Sequence, residues 1–355
     1  MNINAIDLFC GLGGLTYGLE KSGINVIAGI DIEESCRIPY ETNTNAKFIL
    51  KDIKEVTPVE IESLYPKNTD VRILAGCAPC QPFSSYSYRY KGKDSTINKM
   101  DLLDYFGALV ESVQPDIVSM ENVPQMVKDP VFANFIRVLK ENGYHVEWQI
   151  VFAPDYGIPQ NRKRLTLLAS KLSEISLLEK THTPEEYLTV RDVIYNLENL
   201  EAGEVSEKDP MHRAAKLSKK NIERIKQSKQ GGTWKDWDED LLLSCHKKET
   251  GSTYQSVYGR MEWDKPSPTI TTQYYGYGNG RFGHPEQNRA ISLREGAMLQ
   301  TFPENYIFFT TESFTSTREI ATAIGNAVPV RLAEVIGTSI IESMEVLEWG
   351  KKTEL

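Results

Sequence analysis

From Ala5 to Ser170, short apolar runs alternate with segments of helical period, and this alternation restricts the fold more than any other feature of the chain. Ala5 to Phe9, Asn25 to Asp31, Phe48 to Leu50, Val71 to Ala75, Asp116 to Met120, Val146 to Phe152 and Arg164 to Ser170 read as strands. Leu15 to Lys21, Glu33 to about Thr42, Val59 to Leu64, Leu102 to Val113 and Val131 to Asn142 read as helices. Pro39 strains the second of these, and Gly143 ends the last. Short apolar strands joined by helices build a mostly parallel α/β sheet covered on both faces. In a doubly wound sheet, ligands bind outside the carboxyl ends of the strands. The residues that follow each strand are therefore the ones to read for chemistry.

After about Ser170 the pattern breaks. Residues 180–290 are richer in polar, Gly and Pro residues, and Gly231-Gly232, Pro266, Pro268 and the run from Tyr274 to Gly280 mark turns. This reads as a second, smaller domain. Helical period returns at Thr317, where Ile320, Ile324, Val328, Leu332, Val335 and Ile336 form one candidate buried stripe. Gly325-Asn326-Ala327-Val328-Pro329 interrupts it as a turn or cap. The expected organisation is one domain of residues 1–178 plus 314–355, with a second of residues 179–313.

Five strand ends carry candidate chemistry. Asp7-Leu8-Phe9-Cys10-Gly11-Leu12-Gly13-Gly14-Leu15 joins the first strand to the first helix, and its glycines let backbone approach a ligand at a helix N-terminus. The spacing is not that of a dinucleotide fingerprint, because Thr16 stands where a third glycine would. Asp31 and Asp52 end the next two strands, where carboxylates can accept ribose hydroxyls or an adenine amino group; either alone also reads as a plain strand-ending acid. Gly76-Cys77-Ala78-Pro79-Cys80-Gln81-Pro82-Phe83-Ser84 follows the fourth strand and places a cysteine on a Pro-anchored turn. Cys77 and Cys80 could instead form a redox pair or half a zinc site. No histidine stands at zinc spacing to them. Glu121, in Glu121-Asn122-Val123-Pro124, can act as a proton donor if partly buried. Arg162 and Arg164, two apart, would share one strand face, or form a solvent-facing basic turn.

The five cysteines, an odd number at irregular spacing, do not form a disulfide framework, which favours a reducing compartment. There is no run of the length a membrane span needs and no signal peptide in the N-terminal residues. Net charge is −9, but charge is uneven. Ser206 to Lys235 holds nine Lys or Arg against three Asp or Glu. This is either a solvated helix face or a phosphate-contacting surface.

Taken together and in order, DLFCGLGGL from Asp7, GCAPCQPFS from Gly76, ENVPQ from Glu121, QNRKR from Gln160, PTITT from Pro268, REGAMLQTFP from Arg294 and GNAVP from Gly325 resemble the DNA cytosine-5 methyltransferase family of bacterial restriction–modification systems. The resemblance spans the chain except residues 171–255 or so. It implies a Rossmann-like S-adenosylmethionine-dependent methyltransferase sheet with a target-recognition domain. It implies S-adenosylmethionine held by Asp7, Phe9, Gly11, Gly13, Gly14, Leu15, Asp31, Ile32, Asp52, Ile53, Asn326 and Val328. Asp31 would hold the ribose, although many relatives carry Glu there; Asp52 with Ile53 would hold the adenine, and Phe9 would contact its ring. Cys80, Glu121, Arg162 and Arg164 would be catalytic, acting on a flipped cytosine in duplex DNA through a Cys80–C6 adduct. Cys77 is left to packing. The loop from Ser84 to Lys99 would close over the base. No metal is implied. The expected partners are double-stranded DNA and a cognate restriction endonuclease, and the expected state is a cytoplasmic monomer in a bacterial or phage-infected cell. The nearest rival is a tRNA cytosine-5 methyltransferase of the same superfamily, whose Cys-Phe-Thr signature this sequence lacks.

Overall fold

A computed structural model describes residues 1–79, 102–248 and 255–353. Cys80 and the expected closing loop lie outside the described residues. The chain divides into two compact units, one of Met1–Phe152, Lys163–Lys180 and Val328–Leu355, the other of Ala153–Arg162 and Thr181–Ala327.

The first unit is built on seven strands: β1 (Ile3–Leu8), β2 (Asn25–Asp31), β3 (Lys47–Leu50), β4 (Val71–Gly76), β5 (Ile117–Asn122), β6 (His145–Phe152) and β7 (Lys163–Ser170). Their order in the sheet is β3-β2-β1-β4-β5-β7-β6. The first five neighbours pair in parallel, whereas β7 runs antiparallel to both β5 and β6. The expected sheet is thus mostly parallel with one reversed strand. The reversal follows from a short connection: β6 and β7 are too close in sequence for a crossover helix.

Among the described residues, six helices flank this sheet: α1 (Gly14–Lys21), α2 (Arg37–Asn43), α3 (Pro58–Leu64), α4 (Leu102–Val113), α5 (Pro130–Glu141) and, from the C-terminal end, α10 (Val330–Thr353). Pro39 does not break α2. It sits in the first turn, where its missing N–H would have no helical partner. All six residues of β1 are buried. Ile6 and Leu8 join a core with Phe106 and Val110 of α4 and Phe132 and Phe135 of α5. Asp7 points to the other face, toward Thr16 of α1. There α1 packs on α10 so closely that a Cβ on Gly18 would lie 2.4 Å from Ala333 Cβ and from the Val330 carbonyl.

The second unit carries short helices, α6 (Val190–Ile194), α7 (Lys219–Gln227), α8 (Leu293–Leu299) and α9 (Thr317–Asn326), and the short strand pair Gln160–Asn161 with Ser267–Pro268. A small core gathers Ile225, Trp234, Trp237, Leu241, Tyr277 and Ala290. The expected single stripe from Ile320 to Ile336 is divided. All six residues are buried, but the helix stops at Asn326, and Ile320 and Ile324 belong to the second unit while Val328 onward belongs to the first. No membrane-length apolar run is expected from the sequence. Thr317–Leu347 does reach that length and composition, although 67% of its most apolar window is buried within the protein.

Candidate active site

At the carboxyl end of β1 the backbone turns sharply. Phe9 and Gly11 take φ of 61° and 50°, and Gly13 takes 88° before α1 starts. A positive φ is costly for Phe, and the surroundings hold it: the Phe9 and Cys10 amides donate to the Ile30 carbonyl at 2.8 and 3.2 Å. No described residue lies within 4 Å of the position a Gly11 Cβ would take, so among the described residues this loop borders open space.

Asp31 ties two loops together. Its Oδ2 accepts from the Gly11 amide at 2.8 Å and its Oδ1 from the Glu33 amide at 2.9 Å. Beside it Ile32 is 61% exposed, an unusual place for a large apolar side chain at a strand end. Asp52 caps the turn that follows β3, accepting from the Lys54 amide at 3.0 Å, and Ile53 is buried beneath it. Asp7 is fully enclosed. One oxygen accepts from the Thr16 hydroxyl at 2.8 Å, and Thr16 meets Tyr40 OH at 2.9 Å. The other, Oδ1, is buried and finds no hydrogen-bond partner among the described residues. Burial pushes the Asp7 carboxyl up to about 7, against the lowering effect of Thr16. An unpaired buried carboxylate oxygen, two carboxylates at the neighbouring strand ends, an open glycine turn and an exposed apolar side chain make a cradle. It fits a ligand with a cationic group, hydroxyls and a flat ring. Leu15 is buried in α1. Asn326 is exposed at the end of α9, in the second unit, and Val328 is buried in the first.

Glu121 is buried at the end of β5, 3% exposed. Two neighbours reach it. The register sets Glu121 opposite Thr166 of β7, so Arg164, two residues earlier on the same face, is its diagonal neighbour. Arg164 Nε lies 2.9 Å from Glu121 Oε1. On the other side Gly76 pairs with Met120, which brings Cys77 alongside Glu121, and its thiol donates to Oε2 at 2.9 Å. Asn122 fastens the same turn by donating from Nδ2 to the Ala78 carbonyl at 3.1 Å. The reading of Cys77 as packing is therefore corrected. Its half-exposed thiol makes a polar contact, which a residue-type argument does not reveal because cysteine usually behaves as a small hydrophobe.

Arg162 and Arg164 stand on different elements. The two-residue period holds only within one continuous strand, and here the chain leaves one strand pair at Asn161 and enters β7 at Lys163. Arg162 is 2% exposed in the second unit, where it donates to the Ile270 carbonyl at 3.1 Å. It belongs to a polar lattice. Gln160 accepts from the Ile270 amide at 2.9 Å and donates to Gln300 at 2.8 Å, and Gln300 donates to the Ile324 carbonyl at 2.9 Å. A Cβ on Gly325 would come within 2.5 Å of the Thr271–Thr272 backbone. The segments QNR, PTITT, LQTFP and GNAVP thus meet in one framework. Gln160 and Gln300 stand within the QNRKR and REGAMLQTFP segments, yet only a contact across 140 residues of sequence reveals what they do. Beside it, Glu295 accepts from Arg289 at 2.7 Å on both oxygens. Burial alone would raise the Glu295 carboxyl, but the guanidinium overrides it and holds it at about 2.

Cys10 and Cys36 are buried, and burial raises both thiols, the latter to about 12. Neither suits a nucleophile, which must ionise.

The sequence profile of the C-5 cytosine-specific DNA methylases matches residues 3–342. The Type II methylase M.HgiDII of Herpetosiphon aurantiacus is 53% identical over 99% of this chain and 98% of its own length. The Type II methyltransferase M1.BsuMI of Bacillus subtilis is 30% identical over 94% of this chain and 79% of its own. Among solved structures, a chain encoded within an Escherichia coli prophage superposes with a TM-score of 0.73 at 22% identity, covering 97% of this chain and 99% of that one. The Dnmt2 methyltransferase of S. pombe superposes at 0.61 with 18% identity, covering 96% and 99%. Both structural likenesses concern the fold.

Proposed function

The chain belongs to the C-5 cytosine-specific DNA methylase family and is a DNA (cytosine-5)-methyltransferase, and from that premise we propose how its residues divide the work. The observation that carries the reading is Glu121, buried at a strand end, paired in charge with Arg164 at Oε1 and hydrogen-bonded by Cys77 at Oε2. Cytosine C5 is too weak a nucleophile to take a methyl group unaided. The Cys80 thiolate adds to C6 of the base. Glu121 delivers a proton to N3, or a hydrogen bond that serves as one, which drives electron density to C5. Arg164 aligns Glu121 and holds the base at O2, where charge develops. After transfer a base removes the C5 proton and Cys80 leaves. The target cytosine must leave the stack to meet these groups.

S-adenosylmethionine, when bound, supplies the methyl group as an electrophile. The strand-end cradle fits it. Asp7, with its unpaired Oδ1, answers the amino group; Asp31 answers the ribose; Ile32, Ile53 and Phe9 answer the adenine, with Asp52 at its edge. The Gly11–Gly14 turn gives the chain its close approach, with Leu15 and Val328 completing the set in the first unit.

The second unit carries sequence choice. Its likeness to type II methylases supports a role in restriction–modification, with a cognate endonuclease on the same site. The test is DNA carrying 5-fluorocytosine at the target, from which fluorine cannot leave as a proton does. Expected is a covalent complex that survives denaturing gels and is lost in Cys80→Ser. Full methylation by Cys80→Ser would end the reading.

A further inference from the structure

We propose that Cys77 is a positioning residue for Glu121, its thiol fixing Oε2 of the carboxyl group by a hydrogen bond while Arg164 meets Oε1 only as an ion pair. The inference rests on the reading of Glu121 as the group that meets cytosine N3. The terminal torsion of a glutamate is broad, so burial alone does not set the carboxyl plane. A directional donor on Oε2 does, because the Oε1–Arg164 ion pair sets charge but no hydrogen-bond geometry. Arg164 Nε stands 2.9 Å from Oε1 and Cys77 Sγ 2.9 Å from Oε2.

Cys77 is itself held from two sides. Its amide donates to the Leu8 carbonyl at 3.4 Å, continuing the β1–β4 pairing past Gly76. The next residue, Ala78, accepts from Asn122, the neighbour of Glu121. The turn that carries the thiol and the strand that carries the acid are thus locked together. A carboxylate oxygen accepts more than one hydrogen bond. Oε2 can keep the thiol and still meet the base. Cys77 touches neither base nor reacting atoms in this role; it acts by holding Glu121 in the orientation that transfer needs, where small misplacements are costly.

The test compares Cys77→Ala, Cys77→Ser and Glu121→Ala, singly and combined, in single-turnover methylation of duplex DNA. Unfolding midpoints show that each variant folds. Cys77→Ala should slow transfer about tenfold, the low end for losing a hydrogen bond to a charged group, with KM for DNA and cofactor within about twofold. Cys77→Ser restores a donor and should return the rate to within about threefold of wild type. In the Glu121→Ala background, adding Cys77→Ala should cost nothing further, since the acceptor is gone. Equal losses in both backgrounds, no rescue by serine, or an unimpaired Cys77→Ala beside a crippled Glu121→Ala would each overturn the role of Cys77 alone. Full activity in Glu121→Ala would overturn the reading of Glu121, and this inference with it.

Discussion

Asp7 shows how much one buried oxygen can weigh. Its carboxyl is raised from 3.8 to about 7, with burial as the main cause. In the unfolded chain it ionises near its ordinary value. The folded state therefore binds the proton more tightly, and stability from this group is full below about pH 4 and lost as pH rises through about 7. Asparagine imitates the protonated form. Without cofactor, Asp7→Asn should leave the urea midpoint close to wild type near pH 4 and raise it relative to wild type at pH 8. A difference independent of pH would mean that Asp7 does not titrate in this range. The opposite case stands at Glu295, held low by Arg289. The two carboxylates differ because one has a guanidinium on both oxygens and the other has a hydroxyl on one.

At the scale of elements, two joints decide whether the cradle forms. The first is Asp31, which clips the loop after β1 to the loop after β2. Asp31→Ala should weaken cofactor binding by about tenfold or more, given about 1.5–3 kcal/mol for a hydrogen bond to a charged group. It should also speed exchange of the Gly11 amide. Unchanged affinity in calorimetry would remove Asp31 from the pocket. The second joint is the α1–α10 contact. A methyl on Gly18 would strike both the Ala333 side chain and the Val330 backbone at 2.4 Å. Backbone cannot retreat as a flexible side chain can, so Gly18→Ala should destabilise by about 1–3 kcal/mol, read as a shift in denaturant midpoint. The strands and helices of the first unit were legible because most of its strands are short apolar runs, buried along most of their length, and its longer helices are amphipathic. The break at Ala327–Pro329 was legible as a turn. That it also separates two compact units was not, because the apolar period runs through it unchanged.

At the scale of the molecule, the net charge of −9 opposes DNA, so local charge must carry the encounter. In the basic stretch, Lys216, Lys219 and Lys226 are exposed, whereas Arg224 is buried and donates to the Leu241 carbonyl at 2.9 Å. The surface is thus smaller than the count of basic residues suggests. Neutralising any one of the three lysines should reduce the slope of log affinity against log salt by roughly one unit and weaken all sequences alike. Slopes that stay at the wild-type value in all three variants would place the phosphates elsewhere.

The ordered motifs alone determined the family, the α/β sheet and the strand ends where the chemistry gathers, since glycine turns, a cysteine after proline and strand-end acids are local patterns with local causes. Only the tertiary structure decided which of them meet. Arg164 reaches Glu121 because β7 runs antiparallel beside β5, and Cys77 reaches it because β4 runs parallel on the other side. Arg162, one residue outside β7, joins a lattice with Gln160 instead. Strand neighbours are set by how a whole sheet buries its two faces, and no window of sequence around any one of these residues contains that choice.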